Sequence, residues 1–471
     1  MSLSRRALAT RLLVGAALAA SFAVAFPEWA DDWDGLGFLA SIRRFDLASF
    51  APHPPGYPVY VLLLKVAAIV TSAPMGAARV VGVMSGVVTF VAMCSALGRA
   101  MRGVVAAASI CLVPLVFHAF TGVGSEGPAL AFAALAAMGI LANDLSPRAR
   151  ILLVGLGVGL GLGVRLSWAP FYLPFILLID RPLRPRTLLV TLLACLSWAV
   201  PLVVLTGPTT LLGLLRTHLT GHMTVWGGTA VTEPARLTFL FRDLFVDAFG
   251  GGADVLGFVI LVMLVVVTIG AIVTRARGTA PATLALLLAP YLVWVTLGQN
   301  LRAQPRHVLP IAVVLAFVLA RVALSSVSPR WLVAAVACLV ALMVTRTALD
   351  AVARATLPPP GAQLLAYLRD HASTEPPGTT AVFAGASGRF LDGTEWQAST
   401  HPAATYGDAL LAMSRMNSLP RRALLTNEVK GVTDGPVRRL PVATFCRPPR
   451  LDRRMPCLEL YSGDIEPTPP L

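Results

Sequence analysis

Apolar runs of 17 residues or more recur along this 471-residue chain, and short arginine clusters separate them. Runs of that length match the hydrocarbon thickness of a bilayer when helical, so they read as transmembrane helices. The composition agrees. The chain is 56% hydrophobic and 13% charged, whereas soluble domains average about 45–50% and about 25%. The net charge of +14 comes from 38 Lys+Arg against 24 Asp+Glu. In a soluble protein that excess would suggest nucleic-acid binding. Here the arginines fall between the apolar runs, where basic residues hold cytoplasmic loops inside, and no nucleic-acid partner is expected.

The spans are read at 11–27, 80–97, 103–120, 127–142, 150–165, 168–180, 187–207, 254–274, 280–298, 308–326 and 331–350. The N-terminal Arg5, Arg6 and Arg11, apolar stretch and Ala23-Val24-Ala25 mimic a signal peptide. With so many spans following, this segment is read as an uncleaved first span. The run 57–73 is also apolar, but Lys65 sits in its middle and Pro52, Pro54 and Pro55 precede it. A cation at a bilayer centre costs about 2.5–3.5 kcal/mol or more, so the run is read as a juxtamembrane or re-entrant helix that does not cross. Parity supports this. With 57–73 skipped and the N-terminus inside, Arg99, Arg102, Arg148, Arg150, Arg181, Arg184, Arg186, Arg275, Arg277, Arg321 and Arg330 all fall in inner loops. The long loops 28–79 and 208–253 then face outward, so the working face is expected to be the outer one.

The expected fold is an all-α polytopic membrane protein of about 11 transmembrane helices plus a juxtamembrane helix, with a small soluble C-terminal α/β domain. The division falls at 1–356 and 357–471, after the Pro358-Pro359-Pro360-Gly361 break. In the tail, Leu364 to Leu368 reads as a short helix and Thr379 to Ala384 as a buried strand. The last residues, Pro467 to Leu471, read as a frayed end. Cys94, Cys111, Cys195 and Cys338 lie in apolar runs as small core residues, while Cys446 and Cys457 would form a disulfide if the tail is extracytoplasmic. The glycines of 155–163 contain a G-x-G-x-x-G-like spacing, better explained by close helix packing than by a nucleotide site. The expected location is the inner (plasma) membrane, with the N-terminus cytoplasmic and the tail outside.

Several residues in the outer loops carry chemistry. Asp31, Asp32 and Asp34, in P-E-W-A-D-D-W-D-G-L-G-F, stand just after the first span. Partial desolvation at the membrane surface suits a carboxylate to general-base work; the bland alternative is a solvated interface anchored by Trp29 and Trp33. His53 opens H-P-P-G-Y-P, ahead of Tyr57, and either bonds substrate or caps the turn. Glu126, in T-G-V-G-S-E-G-P, either reaches a catalytic cavity or faces a helix dipole. Arg165, Arg302, Arg306 and His307 lie at outer junctions, against the topology bias. A phosphate ligand would account for them through charge-assisted bonds, and snorkelling to headgroups is the alternative. His218 and His222 are spaced i, i+4, but no acidic partner lies near in sequence. No cofactor is called for; no pattern indicates a divalent metal, though none forbids one.

Taken together these residues resemble the GT-C superfamily of membrane glycosyltransferases, in the branch of protein O-mannosyltransferases and aminoarabinose transferases. The resemblance covers about residues 11–350. It rests on an acid just after the first span, H-P-P-G-Y-P about twenty residues on, a second acid after the third span, and R-H-V-L-P late in the membrane region. Asp34 matches the first acid, since D-G-L-G-F has the family's acid-x-x-x-aromatic pattern; Glu126 matches the second, and Arg306 the late basic position. The resemblance implies a polyprenyl-phosphate sugar donor, a lipid, glycan or protein acceptor, and an inverting transfer outside the cytoplasm. It makes Asp34, with Asp32 as runner-up, the base; Glu126 an orienting acid; Arg306, Arg165 and His307 ligands of the donor phosphate; and His53 and Tyr57 substrate contacts. Two other readings compete. A polytopic transporter or lipid flippase would carry its charges near the midplane rather than at one face, and an envelope assembly protein would bind through the tail.

Overall fold

The computed structural model describes residues 5–98, 100–225, 229–230, 232, 236–273, 281–301, 304–325, 328–372, 380–384, 399–402, 422–428, 441–448, 451 and 456–463. Two compact units emerge. The first is Met1–Glu28 with Gly37–Ala355; the second is Trp29–Leu36 with Thr356–Leu471. The acidic segment that follows the first apolar run thus groups with the tail.

The first unit is helical. Its helices are α1 (Arg5–Ala25), α2 (Trp33–Arg43, which begins in the second unit), α3 (Pro58–Thr71), α4 (Pro74–Leu97), α5 (Met101–Cys111), α6 (Pro114–Thr121), α7 (Glu126–Leu141), α8 (Pro147–Val164), α9 (Ala169–Leu178), α10 (Arg184–Thr206), α11 (Pro208–Thr220), α12 (Arg236–Phe241), α13 (Val255–Val273), α14 (Pro281–Gly298), α15 (Leu309–Leu324) and α16 (Arg330–Thr356). Prolines in the first turn open α3, α4, α6 and α8, where a missing N–H costs nothing. Among the described residues, seven helices are long and apolar enough to cross a membrane, or eight if the α5–α6 pair is one span. The chain is a multi-pass membrane protein. The outward faces are apolar, as lipid requires: α10 exposes Leu189, Leu193, Val204 and Leu205, and α13 exposes Phe258, Val265, Ile269 and Ile272.

Each of the eleven apolar runs contains helix among the described residues, but not always one straight helix long enough to cross. The run 103–120 is bent by 72° between α5 and α6. The break falls at Leu112-Val113, immediately before Pro114, whose ring cannot continue the preceding helix. The runs 127–142, 168–180 and 280–298 form shorter apolar helices. The run 57–73 becomes α3, which at 14 residues is also short. Its lysine is accounted for: Lys65 Nζ donates to the Ile42 carbonyl at 2.8 Å, satisfying the C-terminal end of α2. The segment 208–253 contains helices α11 and α12 and two π-type turns, Gly221–Val225 and Arg242–Ala248.

The 155–163 glycines are packing residues. A Cβ at Gly159 would lie 2.5 Å from Ala194 Cβ on α10, and one at Gly157 would lie 2.8 Å from the Phe132 carbonyl on α7. Their absence lets α8 sit against both neighbours.

Among the described residues the second unit is a five-stranded mixed sheet covered by a helix, α17 (Pro360–Ala372). Its strands are β1 (Thr380–Ala384), β2 (Ser399–Pro402), β3 (Arg422–Thr426), β4 (Ala443–Cys446) and β5 (Cys457–Gly463), in the order β2-β1-β3-β5-β4. β1 runs parallel to β2 and β3, while β5 is antiparallel to β3 and β4. Leu364 and Leu368 of α17 pack on Val382, Leu424, Phe445, Leu458 and Leu460. Cys446 faces Cys457 across the β4–β5 pair, and the two form a disulfide.

Candidate functional site

In the first unit, the polar residues singled out by sequence come together at helix ends. Glu126 opens α7 and Arg165 terminates α8. Arg165 Nη1 donates to Glu126 Oε1 at 2.7 Å and to Ser125 Oγ at 2.8 Å, with both charged side chains at least nine-tenths buried. Gly124 makes room: a Cβ there would lie 2.3 Å from Glu126 Oε2. The Arg165 guanidinium stands 6.0 Å from the centre of the fully buried Trp168 ring. Arg165 Nε is buried with no hydrogen-bond partner among the described residues. Arg306, in a short 3₁₀ turn (Pro305–Val308) ahead of α15, brings its Nε to 3.7 Å from the same Glu126 oxygen and stays partly open. Tyr291 on α14 anchors that turn by donating to the His307 carbonyl at 2.9 Å. Arg302 lies outside the described residues.

One carboxylate oxygen of Glu126 thus faces two guanidiniums, Arg165 at 2.7 Å and Arg306 at 3.7 Å.

The H-P-P-G-Y-P segment folds as a tight turn with cis peptide bonds at Ala51-Pro52 and Pro54-Pro55. The Gly56 N–H donates to the His53 carbonyl. His53 Nε2 and the Tyr57 hydroxyl are 2.8 Å apart, and Phe38 packs on both rings and on Tyr60. The His53 ring also stacks on His218 at 5.9 Å, and His218 stacks on His222 at 6.4 Å. His222 is turned to the Gly298 backbone. Burial holds its pKa below the ordinary imidazole value; Arg306 pushes the same way, and the hydrogen bond to Gly298 opposes. Among the described residues no group of three or more His, Cys, Asp or Glu side chains converges as a metal site.

In the second unit, the acidic segment has distinct roles for its three aspartates. Asp32 Oδ1 accepts the Gly35 N–H at 2.9 Å, which makes it the N-cap of α2. Asp34 lies in the first turn of that helix and is buried. The helix dipole there favours negative charge. Asp31 Oδ1 accepts from Arg447 Nη1 at 2.7 Å. Arg447 was not among the residues suggested by sequence. Its only local signal is its position beside Cys446.

No protein-family profile matches the sequence, and no curated protein sequence does. Similar folds are found among solved structures. ArnT from Cupriavidus metallidurans bound to undecaprenyl phosphate matches with a TM-score of 0.53 at 13% identity, over 99% of this chain and 98% of that one. The Archaeoglobus fulgidus oligosaccharyltransferase in the apo form matches with a TM-score of 0.50 at 13% identity, over 89% of this chain and 69% of that one. At this identity the likeness speaks to the fold. Both are GT-C proteins, and the chain shares their architecture, as the resemblance implied.

Proposed function

We propose that this protein is an inverting membrane glycosyltransferase, which moves a sugar from a polyprenyl-phosphate donor to an acceptor hydroxyl on the extracytoplasmic face. The observation that carries the reading is the Glu126–Arg165–Arg306 cluster, two guanidiniums on one carboxylate oxygen, set in a fold shared with a protein solved with undecaprenyl phosphate.

In the proposed reaction the acceptor oxygen attacks the anomeric carbon and its proton passes to the Asp34 carboxylate. The bond from the anomeric carbon to the phosphate oxygen breaks, and the phosphate leaves with the electron pair. Arg306, supported by Arg165 and His307, stabilises that developing charge. The Arg165 contact fixes Glu126 to orient the acceptor or the sugar. His53 and Tyr57 contact substrate. The donor's long tail is the physical reason for such an enzyme to be a membrane protein.

The test is transfer by the purified protein in liposomes, offered defined polyprenyl-phosphate sugars, with free polyprenyl phosphate as the product followed. Wild-type release that is lost in Asp34→Asn supports the reading. No release from any such donor, under conditions where an established enzyme of this class turns over, overturns it.

A further inference from the structure

Within the second unit, one contact joins residues 416 positions apart: Arg447 Nη1 to Asp31 Oδ1 at 2.7 Å. The Arg447 side chain is fully buried. Its Nε and Nη2 are also buried and have no hydrogen-bond partner among the described residues. A buried guanidinium is costly to desolvate, and packing alone would favour an apolar side chain in its place.

The backbone that carries it is held from three sides. The Arg447 N–H donates to the Pro456 carbonyl at 2.7 Å. The preceding residue, Cys446, is bonded to Cys457, and its carbonyl accepts from Gln363 Nε2 of α17 at 3.1 Å. The guanidinium is therefore presented from a braced sheet edge. What it grips is Asp31, the residue before the N-cap of α2, and Asp34 follows in the first turn of that helix.

We propose that Arg447 is a positioning residue: through Asp31 it fixes the acidic segment 29–36 at the start of α2, so that the C-terminal sheet sets the placement of the loop that carries the base. This rests on the proposed reading of Asp34. Arg447 itself touches no reacting atom. It acts through the Asp31 carboxylate, and the Cys446–Cys457 bond keeps it in place to do so.

The experiment uses the full chain in detergent, with hydrogen exchange of the 29–36 amides read beside transfer kinetics. Arg447→Gln is expected to speed exchange of those amides about tenfold or more, as loss of a local anchor does, while the β1 amides keep wild-type protection. Asp31→Asn should reproduce this, and the double variant should be no worse than either single, as for two residues acting through one contact. Transfer should lose kcat with little change in donor KM, and Arg447→Lys should restore part of it. Should Arg447→Gln fail to fold, Asp31→Asn carries the same readout with the sheet untouched. Unchanged 29–36 exchange in the folded variants, or additive effects in the double variant, overturns the proposal. If the wild-type protein transfers no sugar, the exchange data still decide the role of Arg447, and only the glycosyltransferase reading falls.

Discussion

The Glu126–Arg165 pair permits a quantitative test of the first unit's site. Removing one partner of a buried ion pair costs about 3–5 kcal/mol, because the remaining charge is left without compensation. In Arg165→Leu, the Glu126 carboxylate would keep Arg306, whose Nε lies at 3.7 Å where Arg165 Nη1 lies at 2.7 Å. The expected loss is therefore toward the lower end, about 3 kcal/mol. Glu126→Gln leaves Arg165 and Arg306 facing each other with no carboxylate between them, and should reach the upper end. The double variant replaces the pair with neutral groups and should be closer to wild type than the sum of the singles, by a coupling of about 0.5–3 kcal/mol. Reversible unfolding in mixed micelles measures all four proteins. Trp168, 6.0 Å from the Arg165 guanidinium, is a local fluorescence reporter. Single variants each within about 0.5 kcal/mol of wild type would refute the argument, since that is the scale of an unremarkable surface change.

Other outcomes follow from the same contacts. Arg306→Ala should lower kcat/KM for the donor by roughly 10–150-fold, the equivalent of a charged hydrogen bond of about 1.5–3 kcal/mol; normal donor use would make Arg306 a headgroup anchor. His222 has a depressed pKa in the folded chain, so as pH falls through about 6.5 the unfolded chain takes up a proton that the folded chain refuses. Stability should fall on that acid side, and His222→Asn should flatten the fall in a pH series of melting curves. Replacing Cys446 and Cys457 together by Ser should lower the stability of the C-terminal sheet by about 2–3 kcal/mol, as for a short closed loop. Thiol labelling that is equal before and after reduction would refute the bond.

The fold was legible where one physical signal dominates. Apolar runs located the helices of the first unit because lipid tolerates little else. Pro114 carried the information for the α5–α6 bend, but hydropathy averaged across 103–120 hides a local backbone restriction. The Cys446–Cys457 pairing was legible because both lie in the one polar stretch long enough to form a domain. The mixed order of the five-stranded sheet was not: β5 inserts between β3 and β4, a long-range choice with no mark in local periodicity. The site shows the same division. Arg165 and Arg306 stood out as cations against the topology bias and Glu126 as an acid at the end of a span, yet nothing in their spacing said that one carboxylate serves both arginines. That depends on where α7, α8 and α15 begin and end in space. The contact between Arg447 and Asp31 was beyond reach for the same reason, with almost the whole chain between them.

The choice between Asp32 and Asp34 as the proposed base turns on local geometry at one helix start. An N-cap needs a side-chain acceptor rather than a charge, so Asn serves nearly as well as Asp, whereas Ala costs about 1 kcal/mol. Asp32→Asn should therefore retain the contact to the Gly35 N–H and most of the transfer rate, and Asp32→Ala should lose stability and some rate with it. Asp34 is in the first turn rather than at the cap, and it is buried, so its carboxylate is not explained by capping. Asp34→Asn keeps shape and hydrogen bonding but removes basicity, which is worth about 10²–10⁴-fold. Single-turnover transfer with donor binding measured in parallel separates the cases. Asp34→Asn with wild-type turnover and Asp32→Asn without any would move the base to Asp32. An equally deep loss in both would mean that the two carboxylates act as a unit, the cap holding the helix start and its proton acceptor together.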